Sequence, residues 1–345
     1  MKIDFFTHFV PPEIATYLSD TELGKAVVPR WRRIGALVEP EAHFRVMDRF
    51  DEYVQIPSIA NPPIEAYGAP DETPAIARFT NDALADFCSS HRDRFPGFVA
   101  NLAMNNPAAA VEEAQRAVTE LGAAGCLLYT NVLGEPLSDP KYLPVFETMA
   151  ALERPIWLHP IRGPEHADYA AETTSAHELW FTFGWPYETA AAMGRLVYAG
   201  LFEKLPGIKI ITHHLGGLVP FLEGKIAMGF RQAGEGELGL NPVAQEAGLE
   251  RAVTDYFRMF YADTAVNGVA KAFECGIEFF GAKRCVFASD APFDPTGGEH
   301  LIRESMRLVD SLDAEVRESV YEGNARKLVP SIAGDSGDVG ADRFH

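Results

Sequence analysis

The chain of 345 residues sets 49 acidic against 30 basic side chains, a net charge of −19 that works against phosphate backbones and anionic headgroups, so neither nucleic acid nor a membrane surface is an expected partner. Its 47% hydrophobic and 11% aromatic content is that of a globular protein with a sizeable core. α/β barrels of this length fold as one unit, so a single domain is expected.

Short β-rich runs alternate with helical patterns. The first, 2–8 (KIDFFTH), is followed by 53–59 (YVQIPSI), 96–102 (PGFVANL), 125–130 (GCLLYT), 155–159 (PIWLH), 207–213 (GIKIITH), 258–263 (RMFYAD) and 284–289 (RCVFAS). Most are nearly continuous in apolar residues, as strands buried on both faces are. Thr73–Pro74, Asn106–Pro107 and Asp139–Pro140 read as helix starts. After Asn106, residues Val111, Ala114, Val118 and Leu121 mark a buried face that Gly122 closes. This rhythm predicts an α/β fold, a (β/α)8 TIM barrel spanning residues 1–330. Residues 9–50 make a long insertion after the first strand and 160–186 a long loop after the fifth, where pocket walls and lids belong. The polar, Gly-rich tail 331–345 is expected to be disordered. Cys88, Cys126, Cys275 and Cys285 show no C-x-x-C spacing and read as reduced core residues. The opening MKIDFF has no leader pattern, and no apolar run approaches the roughly 20 residues of a membrane span, so a cytoplasmic protein is expected.

In a barrel the last residues of all strands share one mouth. His8, His159, the pair His213 and His214, Asp263 and Asp290 all stand at such ends. Imidazoles with a carboxylate suit zinc above all, with manganese as the alternative, and about three protein ligands leave a position open for water or substrate. One divalent ion held by about three of these strand-end residues is therefore expected.

Asp4-Phe5-Phe6-Thr7-His8, Leu158-His159-Pro160, His214-Leu215-Gly216-Gly217 ahead of Pro220-Phe221, and Ser289-Asp290-Ala291-Pro292-Phe293 resemble, in order, the motifs of the amidohydrolase-2 family of the amidohydrolase superfamily. The resemblance runs to Gly323-Asn324-Ala325. It implies metal-dependent chemistry of the aminocarboxymuconate-semialdehyde and γ-resorcylate decarboxylase group, alongside hydrolases and hydratases. His8, His159 and Asp290 match family metal ligands, and His214 matches the histidine that serves proton transfer beside the metal. His214 rather than His213 keeps the family spacing to Gly216-Gly217 and Pro220-Phe221. Strand alternation further predicts that one of the pair enters the mouth while the other packs behind it.

One position departs from the family. Its usual His-x-His opening is here Phe6-Thr7-His8, and a phenyl ring binds no metal. The resemblance also implies a small carboxylate substrate, for which arginine is the natural clamp. Arg162 is the first candidate, and Arg30, Arg32 and Arg33 form a second group within the first insertion. Trp180, Phe181, Phe183, Trp185 and Tyr187 crowd the long loop. Trp180, Phe181 and Phe293 are the expected walls for a flat substrate, while others pack onto the barrel or a second subunit of a homodimer or larger homo-oligomer.

The leading expectation is a carboxy-lyase, a metal-dependent non-oxidative decarboxylase of a small unsaturated or aromatic acid. His214 and Asp290 would be its catalytic residues, with Asp290 both ligand and proton shuttle. A metal-dependent hydrolase of a C–N, C–O or C–C bond uses the same residues. A binding barrel without turnover is the third reading.

Overall fold

The computed structural model describes residues 1–232 and 248–332. Eight parallel strands appear where the apolar runs place them: β1 (Lys2–His8), β2 (Tyr53–Ser58), β3 (Val99–Asn101), β4 (Gly125–Tyr129), β5 (Ile156–His159), β6 (Ile210–Thr212), β7 (Tyr261–Asp263) and β8 (Cys285–Val286). β3 to β8 pair in chain order as one sheet, and β1 pairs with β2 as another. Isolated backbone bonds join the two. Phe5 N donates to Phe287 O at 2.9 Å and Asp290 N to Phe6 O at 3.0 Å, while Gln55 N reaches Arg94 O at 2.9 Å. This is the α/β barrel architecture, its seams bridged by scattered hydrogen bonds rather than ladders.

Alternation along the strands divides the core in two. Leu127, Tyr129, Trp157 and Ile211 join the inner cluster, while Cys126, Leu128, Leu158 and Ile210 face the helices. His159 has the parity of Trp157, which directs it into the mouth. In β1 the register against β2 shifts between Asp4 and Thr7, and the consecutive Phe5 and Phe6 both belong to the inner cluster. Trp157 Nε1 donates to the Phe5 carbonyl at 2.5 Å, satisfying a backbone group at that irregularity. The shift places Phe6 and His8 on the mouth side together.

Helix Pro107–Thr119 is capped by Asn106, whose side chain accepts from Ala109 N. Its buried face differs from the expected one. Ala110, Glu113, Ala114 and Ala117 are buried, and Val111, Val118 and Leu121 lie at the flanks. Alanines let the helix approach the strands closely, and Glu113 is tolerated because Asn81 and Arg116 bond its carboxylate.

The first insertion folds into short helices, including Glu22–Trp31, and Trp31 Nε1 donates to Asn61 O at 3.1 Å, tying it to the loop after β2. The loop after β5 leads through Leu179–Thr182 into helix Gly184–Tyr198. Of the segment 331–345, only its first two residues are described. Pro330–Ile332 forms a helical turn whose Ile332 is buried in the inner cluster, near Gly97; residues 333–345 lie outside the described residues. All four cysteines are free. Among the described residues, no helix is long and apolar enough to cross a membrane.

Candidate active site

Three imidazoles at the mouth share one device. His8 Nδ1 lies 3.2 Å from Ile59 O, His159 Nδ1 2.7 Å from Pro160 O, and His213 Nδ1 contacts the Asp263 carboxylate. These partners only accept, so each Nδ1 carries the proton and each Nε2 is left as the coordinating atom. Among the described residues, the Nε2 atoms of His8 and His213 are buried without a hydrogen-bond partner. They stand 3.3 and 3.5 Å from Asp290 Oδ1. The His159 ring lies 5.4 Å from that of His8 and 5.3 Å from that of His213. Ring lone pairs converging on a carboxylate repel it unless positive charge lies between them, so this donor set fits a divalent cation.

Within the protein itself the opposed groups also couple strongly. Burial opposes charge on Asp290, yet the His213 charge and the facing nitrogens of His213, His214 and His8 hold its carboxyl well below the usual carboxylate range. Burial would lower His213, but Asp263 and Asp290 together push it up to about 9. His159 falls well below the ordinary histidine value through burial, then through the charges of His213 and His8.

His213 and His214 both reach the mouth, contrary to the expectation that one packs behind. β6 ends at Thr212, and His214 takes a left-handed backbone (φ 53°) that escapes the strand alternation. His214 Nε2 stands 3.5 Å from Asp290 Oδ2 with its side chain 20% exposed, whereas His213 is fully buried. The donor atoms of His213, His214 and Asp290 lie within 4.8 Å of one another. Asp263 organises the pair: its Oδ1 accepts from His214 N at 3.1 Å and Ala265 N at 3.0 Å. Sequence reading noted Asp263 at a strand end without giving it a role, because its partner comes from the neighbouring strand.

A cavity of about 410 Å3 opens above His159 and Asp290, lined by Arg162, Trp180, Phe181, Trp185 and Phe293 and, from the first insertion, by Arg30 and Trp31. Phe293 also approaches the His8 ring at 5.1 Å. Phe183 and Tyr187 point away, 71% and 57% exposed. Arg162 is engaged: its Nη1 donates to Glu188 at 2.8 Å. Arg30 has no such partner among the described residues, and Arg32 and Arg33 do not line the cavity. Spacing alone did not single out Arg30, whose approach depends on how the insertion folds back. His214 also borders a second cavity with Pro220, Phe221 and Lys271.

A family profile described as Amidohydrolase matches residues 3–330. The chain is similar to the γ-resorcylate decarboxylase of Rhodococcus jostii, 32% identical over 305 residues that cover 85% of this chain and 88% of that one. It is also similar to the 2-amino-3-carboxymuconate-6-semialdehyde decarboxylase of Dictyostelium discoideum, at 25% identity, covering 84% and 76%. Among solved structures, a dihydroxybenzoic acid decarboxylase from Polaromonas sp. JS666, with bound manganese and the inhibitor 2-nitroresorcinol, superposes with a TM-score of 0.78 at 28% identity, covering 95% and 96%. A match that runs from β1 past the last strand, in the order the strand-end motifs follow, makes this chain a member of the amidohydrolase family.

Proposed function

We propose that this protein is a metal-dependent, non-oxidative decarboxylase of a small aromatic or unsaturated carboxylic acid. The observation that carries the reading is the set of imidazole Nε2 atoms turned toward Asp290 at the floor of an aromatic-walled cavity with an arginine, unpaired among the described residues, at its side. His8, His159 and Asp290 would hold the ion, which when bound supplies Lewis-acid charge that orients the substrate and stabilises developing negative charge. Manganese in the Polaromonas relative supports that ion as the first to load, with zinc, equally suited to these donors, as its competitor.

The residues divide the remaining work. Trp180, Phe181 and Phe293 stack on a flat substrate and keep water from it. Arg30 takes the charge-recruiting role expected of Arg162, whose charge Glu188 already engages. A proton passes from His214 through Asp290 to the ring carbon that bears the carboxylate. The carbon–carbon bond then breaks, its electron pair returns to the conjugated system, carbon dioxide leaves, and a proton from water restores the donor. Assembly as a homodimer or larger belongs to the same proposal, supported by Phe183 and Tyr187 exposed one helical turn apart, and sedimentation checks it. Cytoplasmic residence is supported by four unpaired cysteines.

The test is incubation of manganese-loaded protein with hydroxybenzoates and unsaturated acids. Bicarbonate release matched by decarboxylated product, without oxygen uptake, is the expected result. Incorporation of heavy oxygen from water with no bicarbonate would replace the reading with hydrolysis, and no turnover on any acid with ion bound would leave a binding barrel.

A further inference from the structure

His213 has the environment of a metal ligand rather than of a core histidine. It is fully buried, its Nδ1 is locked on Asp263, and its Nε2 has no hydrogen-bond partner although it faces Asp290 Oδ1 at 3.5 Å. A fully buried imidazole nitrogen that lacks a hydrogen-bond partner among the described residues and faces a carboxylate stands where a cation would be held between them. The Asp263 contact is the carboxylate–histidine arrangement that fixes tautomer and ring plane for coordination. Asp263 is itself fixed by two backbone donors, His214 N and Ala265 N.

Phe6 completes the arrangement. Its ring stacks on His213, centroids 3.9 Å apart at 17°, and lies 5.7 Å from the rings of both His8 and His159. The one ring among these four that offers no donor is therefore the one that seats His213. His214 contrasts with it: its side chain is partly exposed and borders a cavity, which suits proton exchange.

We propose that His213 is a fourth protein ligand of the divalent ion, beside His8, His159 and Asp290, with Asp263 as its positioning residue and Phe6 as its seat. This rests on the reading that the site holds such an ion. β6 supplies the donor that β1 lacks, so the coordination sphere keeps its ligand number with one member moved to another strand.

The experiment is manganese binding by competition with a chromophoric chelator, with pulsed electron paramagnetic resonance counting coordinated imidazoles. Wild type should show three imidazole nitrogens. His213→Gln should show two and bind manganese about 100-fold more weakly; Asp263→Asn should lose about tenfold or more. His214→Gln should keep three nitrogens and near-normal affinity, and Phe6→His in the His213→Gln background should recover much of the loss. Two imidazoles in wild type, or unchanged affinity in folded His213→Gln, overturns the assignment. The wild-type count stands even if the variants fail to fold. Failure of wild type to bind any divalent ion would instead overturn the metal reading itself.

Discussion

Asp290 occupies a left-handed backbone (φ 61°) that a non-glycine residue adopts at a cost of about 1–3 kcal/mol, and it spends that strain on aiming one oxygen at His8 and His213 and the other at His214. On the proposed reading its two oxygens face different work, ion binding on one side and proton transfer on the other. His214→Asn keeps a polar side chain but removes the titratable ring, so turnover should fall by roughly 100-fold or more while bound ion stays near wild-type content. Parallel kinetics and elemental analysis check this. Loss of the ion with activity would make His214 a ligand, and full activity would remove it from the chemistry.

The turn after β6 shows how an element places such residues. His214, Leu215, Gly216 and Gly217 all have positive φ, which swings the chain sharply back and returns His214 toward Asp290. Only the last two positions are glycine, and Gly217 (φ 59°, ψ −110°) leaves no room for a side chain: a Cβ there would meet Pro186 O at 2.5 Å. Pro186 belongs to helix Gly184–Tyr198, so this glycine also sets how closely the β5 loop and its aromatic wall approach the mouth. Gly217→Ala should destabilise the fold by about 2 kcal/mol or more, read by denaturant unfolding. The variant should also raise KM for the acid substrate. A thermally and kinetically silent variant would show that the turn relaxes freely.

At the scale of the whole molecule, the barrel buries Asp4 and Glu65, carboxyl groups outside the donor set. Burial lifts Asp4 from 3.8 to about 7, against hydrogen bonds from Ser289, Tyr53 and Phe6, and lifts Glu65 from 4.5 to about 7. The folded protein keeps these protons over a range where the unfolded chain releases them, so each group's stabilising contribution is present at low pH and is lost as pH rises toward 7. Glu65→Gln should remove its share, so stability relative to wild type should climb between about pH 5 and 7 and level off above, by on the order of 3 kcal/mol. Urea titrations at several pH values check it, and a difference independent of pH would mean Glu65 is ionised in the fold. By itself the sequence determined the strand positions, the barrel and the strand-end residues, because apolar runs buried on both faces and polar residues at their ends are local patterns. It also marked the Phe6 departure, a matter of one position in one motif. Tertiary structure alone decided that His213 enters the mouth with His214, that Asp263 orients it, and that Arg30 rather than Arg162 presents a charge free of partners among the described residues. Each depends on a left-handed turn, a register shift or an insertion folding back, and contacts between segments 50 or more residues apart leave no periodicity in the chain.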